Sequence, residues 1–592
     1  KSTAIRPAGP SGSARLRSEA IAAQDFRGLR LQVDGGGLIL NDAMGIYSEK
    51  SIPRWAGVII LIAAFIAIYQ PWLLGDRELF RLEGLYAVSA TEFDPSMPMV
   101  TAHGVAIQNV FPFFPAMASV FQKVLGMPME FSLRFLSVLM MAATAVIVYF
   151  AAASERSYRA GLVAAAMYIG TFLALEKGIE GYPTTTNAFF LLSAQLLFFQ
   201  FGIRQTNWNA AWIVGSALLA MGFFTGGFLI ILYFVFPMFF FRRPLSVKSK
   251  FRKPGFPVGV ALLAAAVLVW GAPFWLMSHR GPFQYLGWAD STLWDYISEV
   301  LLFPVMLPVR LLPWALIAWM PFCVALQALD TTPIFSRYLR TLTFATLALL
   351  WLLPQGEPRE IFYLLGPLSI LVGINYELGI RRYGIKVRKL LVFCEYFTVG
   401  LALAVGGICF APERWLSWFI SLNNTLDFRL APEFRLTALV AVAVLLSLTV
   451  FLHYSRKTQP VWLILLTTTA AAGIFYGIVM HPYRAQEEVK REFGTTIRRA
   501  LDGQPGGTLY KSNILDLYGE LFYSGAKVVK LQSLEELPED QETVYLISTE
   551  FPQYPDRSWS NLLPPDYSYR NHRLSLWKGV KRERKAQPAP LI

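Results

Sequence analysis

Uncharged apolar stretches long enough to cross a bilayer recur along this chain, and they constrain its fold more than any other feature. The run Gly57 to Leu74 carries no charged residue. At 1.5 Å per helical residue, a hydrocarbon core about 30 Å thick needs roughly twenty such residues. Similar blocks recur as far as Val479, at 55–74, 133–152, 160–175, 187–203, 210–224, 227–241, 256–277, 308–328, 341–353, 361–374, 390–410, 436–453 and 460–480. The chain is therefore expected to be mainly α, a polytopic membrane protein of about 13 transmembrane helices. Composition agrees: 16% of the residues are charged and 55% hydrophobic, whereas soluble domains keep about a quarter charged.

The net charge of +13 is concentrated between the apolar blocks, in Arg242, Arg243, Lys248, Lys250, Arg252 and Lys253 and again in Arg381, Arg382, Lys386, Arg388 and Lys389. Basic residues distributed this way fix orientation, because they stay on the cytoplasmic side. Their expected neighbour is membrane lipid, and no nucleic-acid partner is expected. Lys50 and Arg54 hold residues 1–54 in the cytoplasm, and alternation from there keeps both basic clusters inside. The C-terminus then lies outside. Residues 1–50 lack the apolar core of a cleavable signal peptide, and none is expected. Cys323, Cys394 and Cys409 fall in or beside apolar blocks and read as packing residues.

The membrane domain is expected over 55–482, with long extracytoplasmic loops at 75–130 and 278–307. Both loops mix aromatic and apolar residues with few charges, which suits helices lying along the membrane surface. A shorter outer loop, Pro412 to Arg435, contains Trp415 and Trp418, residues that anchor at interfaces. Residues 483–580 are charged and read as a small soluble α/β domain, followed by a basic tail at 581–592. Val489, Phe493, Ile497 and Leu501 recur at helical spacing and predict a helix over 487–502. Strands are predicted at 508–511, 527–531 and 543–548, with a helix near 514–523.

Charged residues near membrane spans are costly and mark function by default. On the expected topology Glu83, Glu92, Glu180, His279, Arg280, Glu357, Arg359 and Glu360 all face the outside. Carboxylates and arginines gathered at one interface suit chemistry there. A transporter would place its polar residues near the midplane. His103 and His279 have no partners at ligand spacing, so no metal is expected.

Several segments in order resemble a known family. Glu83-Gly84-Leu85-Tyr86-Ala87-Val88-Ser89-Ala90-Thr91-Glu92-Phe93 is similar to the Asp-Glu-x-x-Tyr-Ala-x-x-Ala-x-Glu-Met signature of GT-C glycosyltransferases, in the protein O-mannosyltransferase and lipid A aminoarabinose transferase group. Glu130-Phe131-Ser132-Leu133-Arg134-Phe135-Leu136-Ser137 resembles that group's Glu-Phe-x-x-Arg-Leu-Pro-Ser. Gly222-Phe223-Phe224-Thr225-Gly226-Gly227, Pro273-Phe274-Trp275 and the segment from Arg359 through Tyr363 to Pro367 resemble further group segments in the same order. In the last domain, Leu517 to Tyr523 and Ser533 to Leu537 look like the group's soluble tail.

The resemblance implies an inverting transfer of a sugar from a polyprenyl-phosphate donor to a lipid, glycan or protein acceptor, at the periplasmic face of a bacterial inner membrane. The lipid-linked sugar is a substrate, and no cofactor is implied. Phosphate is a good leaving group that needs cations rather than a proton donor, and arginine supplies paired donors. The acceptor hydroxyl needs a carboxylate base. Glu83 is accordingly expected as that base, with Glu180 assisting or binding sugar hydroxyls. Arg359 is expected to grip the donor phosphate, with Arg280 as a second phosphate ligand. Tyr86 and His279 are expected to support the site, and Glu92 and Arg134 to hold the loop as an ion pair. The chain also departs from the pattern. Leu82 stands where the group's leading Asp is expected, Thr185, Thr186 and Asn187 occupy the region of a second Asp, and Gln108 and Asn109 that of a lysine. A catalytically inactive relative, serving as scaffold subunit of a membrane complex, is the alternative.

Overall fold

The structure, a computed structural model, describes Glu49 and residues 52–582 apart from 279–292, 354–357, 411–434, 482–488, 502–507, 513–516 and shorter gaps. His279, Arg280, Glu357, Trp415 and Trp418, nearly all of the N-terminal segment, and the tail beyond 582 therefore lie outside the described residues. Contacts divide the chain into Lys1–Ile46 and Tyr47–Ile592, and all that follows concerns the second unit.

Helix occupies each of the thirteen expected places. Among the described residues seven helices are long and apolar enough to cross a membrane, or eight if Tyr296–Arg310 and Ala315–Phe322, bent by 104°, form one span. Three further apolar helices are shorter: Arg54–Tyr69, Phe113–Leu125 and Phe228–Met238. Two departures from the expected spans have local causes. The block 160–175 is broken into Tyr158–Ile169 and Phe172–Lys177, because Thr171 turns out of the helix and its hydroxyl caps the next one at Ala174 N, 3.2 Å away. The block 308–328 is not one helix either, since Pro313 and Pro321 withhold backbone donors within it.

The segment 75–130, expected as the first outer loop, contains Glu83–Thr91 and Phe113–Leu125, and the segment 278–307, expected as the second, contains most of Leu293–Arg310. Val120, Val124 and Leu125 are exposed, as are Leu301, Leu302 and Val305. Such apolar outer faces fit helices that lie in the headgroup region.

The C-terminal domain carries the predicted helix, Val489–Leu501, and the three predicted strands, Leu509–Ser512, Val528–Leu531 and Thr543–Ser548. Two more strands, Arg557–Asn561 and Ser575–Lys581, were not anticipated. They complete a five-stranded sheet in the order Val528–Leu531, Leu509–Ser512, Thr543–Ser548, Ser575–Lys581, Arg557–Asn561. The first three run parallel and the last two pair antiparallel.

This domain docks on the first outer loop. Gly84 and Gly519 pack backbone to backbone, so closely that a Cβ on Gly84 would stand 2.4 Å from Gly519 N. Lys490 Nζ donates to Leu79 O (2.7 Å), and Tyr523 Oη accepts from Leu79 N (2.8 Å). His103, with a left-handed φ of 55°, stacks on Tyr518 at 5.0 Å, and Lys511 Nζ lies 4.2 Å from the same ring. Burial, with Lys511 and Lys530 nearby, pushes the His103 imidazole down from 6.5 to about 3, so it is neutral in the fold. A depressed folded value means that its contribution is complete above pH 6.5 and is lost as pH falls towards 3. Acidification across this window should loosen the docked domain, read as faster amide exchange in 510–530. His103→Asn, which tolerates the left-handed backbone, should flatten that dependence.

Candidate functional site

One end of the helical bundle brings together residues from four separate parts of the chain. Glu83 opens the helix Glu83–Thr91 and is completely buried. Its Oε2 accepts from Phe80 N (2.8 Å) and Arg134 NH2 (2.7 Å), and its Oε1 from Gly181 N (2.7 Å) and Arg134 Nε (3.2 Å). Arg134, in the second turn of Met129–Glu155, also donates to the carbonyls of Leu74, Arg77 and Glu78, each at 2.8 Å. Burial by itself would raise the Glu83 carboxyl. Arg134 and Arg77 beside it, with the hydrogen bonds from Arg134 and Gly181, outweigh burial and hold it at about 2. A carboxylate with two donors on each oxygen presents no lone pair to an acceptor hydroxyl. In this structure the Glu83 carboxylate clamps the loop to Arg134 and Gly181.

Glu180 differs. It is 2% exposed, and Lys177 Nζ, one helical turn back, donates to its Oε1 at 2.9 Å. Its Oε2 lies 3.1 Å from Arg359 Nε, yet no hydrogen bond is aligned on that oxygen. The Oε2 side of this buried carboxylate therefore faces the Arg359 guanidinium without an aligned hydrogen bond. Arg359 is 4% exposed, its guanidinium 3.3 Å from the centroid of the Tyr182 ring. Tyr182 in turn accepts from Leu82 N (3.1 Å) and meets the edge of Tyr86 at 5.8 Å. Glu83 holds Gly181, so the clamp sets the position of Glu180 on one side and Tyr182 on the other. Gly181 suits this turn because a Cβ there would come within 2.8 Å of Leu133 Cβ.

Of the sequence candidates, Glu83, Arg134, Tyr86, Glu180 and Arg359 converge. Glu92 does not, and it does not pair with Arg134 as expected. Its carboxylate accepts from His103 N (2.9 Å) and Gly104 N (3.2 Å), shaping the turn of a small hairpin. Lys177, Tyr182 and Arg77 were missed. The spacing Lys177-Gly178-Ile179-Glu180 could have signalled the first. Among the described residues no group of three His, Cys, Asp or Glu could hold a metal.

Glu83→Gln leaves the Arg134 and Arg77 guanidiniums buried with their shared countercharge removed, and should cost about 3–5 kcal/mol. Thermal unfolding in detergent measures it. The folded value of about 2 lies below the ordinary 4.5, so the clamp contributes fully above pH 4.5 and weakens as pH falls towards 2. The Gln variant should lose that acid dependence.

Residues 109–271 match the family described as dolichyl-phosphate-mannose-protein mannosyltransferase. No curated protein matches by sequence. Among solved structures, ArnT from Cupriavidus metallidurans bound to undecaprenyl phosphate aligns with a TM-score of 0.58 at 17% identity, over 88% of this chain and 97% of that one. Its apo form gives 0.58 at 16% identity over the same shares. The oligosaccharyltransferase of Archaeoglobus fulgidus aligns over 81% of this chain and 65% of its own, at 11% identity and a TM-score of 0.41. The chain is thus a multi-pass membrane protein with the ArnT-like GT-C fold, similar over 109–271 to the dolichyl-phosphate-mannose-protein mannosyltransferases.

Proposed function

We propose that this protein is a glycosyltransferase that moves a sugar from a polyprenyl phosphate to a hydroxyl of a lipid, glycan or protein acceptor, with inversion, at the periplasmic face of a bacterial inner membrane. The observation that carries this reading is Glu180, a buried carboxylate set between Lys177 and Arg359, whose Oε2 lies 3.1 Å from Arg359 Nε without an aligned hydrogen bond. The fold is that of a protein whose solved structure holds undecaprenyl phosphate, which supports the choice of donor.

In the proposed reaction the acceptor oxygen attacks the anomeric carbon as the bond from that carbon to the phosphate oxygen breaks. The acceptor's proton passes to Glu180 Oε2. The polyprenyl phosphate leaves with the bonding electrons, and Arg359 stabilises its charge through paired N–H donors. Lys177 adds a second cation near the same carboxylate, 2.9 Å from Oε1. Arg280, outside the described residues, remains a proposed second phosphate ligand, and His279 a supporting residue. No cofactor enters, since the leaving group is an anion that cations stabilise directly. Tyr182 and Tyr86 hold Arg359 and the outer helix in place.

A second reading, an inactive scaffold subunit, is favoured by one specific observation. Glu83 is fully occupied, and Leu82 stands where a second acidic residue is expected. The two readings part in a transfer assay on protein in proteoliposomes, supplied with a polyprenyl-phosphate sugar and bacterial lipid extract. As an enzyme, the wild type transfers label to an acceptor. Glu180→Gln should slow it by about 10²–10⁴-fold, the contribution of a general base, and Arg359→Ala by about 10²–10³-fold, that of one charge-stabilising donor. Absence of transfer by the wild type, with a stable stoichiometric partner co-purifying, selects the scaffold.

A further inference from the structure

The ends of the apolar helices Arg54–Tyr69 and Val461–Phe475 frame a cleft that the reaction above does not use, and Arg359 does not line it. The first helix, Arg54–Tyr69, stops at Gln70, which takes a left-handed φ of 40°. Its side chain donates to Gly473 O at 2.7 Å and lies against Gly477, where a Cβ would come within 2.0 Å of it. Gly477 belongs to a π-helical turn, Tyr476–Met480, an irregularity found most often at functional positions. Two local departures from regular helix thus face each other across the cleft.

Arg77 reaches into this space. It is 3% exposed, and its NH1 donates to Tyr476 Oη at 3.4 Å. Its NH2 is buried and makes no hydrogen bond, with Glu83 Oε1 3.9 Å away. Glu83 is already bound closely by Arg134 at 2.7 Å, so one carboxylate faces two guanidiniums. The neighbouring Glu78 Oε2 accepts from Lys490 N and Arg491 N at the start of the C-terminal domain. Among the described residues, two guanidiniums thus share one buried carboxylate, and Arg77 NH2 has no aligned hydrogen bond. A buried charge is costly unless paired, and the fork of an arginine matches two oxygens of a phosphate.

We propose that this cleft binds the phosphate of an anionic membrane lipid, with Arg77 as its principal ligand. Ile68, Leu74 and Ile179 supply apolar walls beside the polar end. The cleft also lies where an apolar helix ends, the depth at which headgroups sit. Both features fit a phosphate carried on a lipid better than a free one. The inference stands independently of the transfer reaction.

Hydrogen–deuterium exchange on the full chain in nanodiscs tests it, comparing phosphatidylcholine alone with mixtures containing phosphatidic acid. Phosphatidic acid should slow exchange at 70–80 and 476–481. The fraction giving half-protection should rise about tenfold or more in Arg77→Gln, the scale of a lost charged hydrogen bond. Arg77→Lys, which keeps the charge but not the fork, should shift it less and serves where the Gln variant does not fold. Absence of protection in the wild type, or equal protection in wild type and both variants, overturns the proposal. Equal protection by inorganic phosphate in phosphatidylcholine discs overturns the lipid as its source.

Discussion

Glu83 and Arg134 form the contact on which the outer half of the molecule depends. They lie fifty-one residues apart and meet with no exposure of the carboxylate. Every polar atom of the pair that faces the loop is used. The carboxylate holds Phe80 N and Gly181 N, and the guanidinium holds three loop carbonyls. An ion pair this deep is costly to desolvate, and the many hydrogen bonds offset that cost. What it fixes is relative position: the first outer loop, the second expected span and the turn at Gly181 are locked together. The soluble domain then docks on the loop that the pair has shaped, through Leu79, Gly84 and His103.

Two buried carboxylates sit on either side of one backbone turn, and their surroundings divide the work between them. Glu83 is saturated by donors and kept ionised far below neutral pH. Glu180 is held by two cations but keeps an oxygen without an aligned donor. The first arrangement makes a rigid support. The second leaves one oxygen beside the Arg359 guanidinium without an aligned hydrogen bond. In the proposed reaction Glu180 takes the acceptor's proton and Glu83 supports the turn that carries it.

Much of this was legible in the sequence, for reasons that differ between parts. The apolar blocks announced the helices because twenty uncharged residues have few other physical uses. The breaks at Gly170–Thr171 and around Pro313 were harder to read, since the surrounding composition stays apolar. Glu83, Glu180 and Arg359 could be selected because charge beside a membrane span is rare, and charge sign with topology placed them on one side. Their division of labour could not be read. It depends on which donors reach which oxygen, and Arg134, Gly181 and Lys177 arrive from separate segments. Glu92 shows the same limit: its partners are backbone amides at His103 and Gly104, which no side-chain pattern reveals. The strands Arg557–Asn561 and Ser575–Lys581 escaped because they lack the apolar run of the parallel strands and are defined by their pairing with each other.

The proposed function requires that a polyprenyl-phosphate donor bind beside Arg359 and Glu180. The most direct measurement is lipid mass spectrometry on protein purified in mild detergent, wild type beside Arg359→Ala. The account predicts a polyprenyl phosphate or its glycosylated form bound to the wild type and lost from the variant. Absence of any such lipid from the wild type across several gentle detergents, or its equal retention by Arg359→Ala, would contradict it.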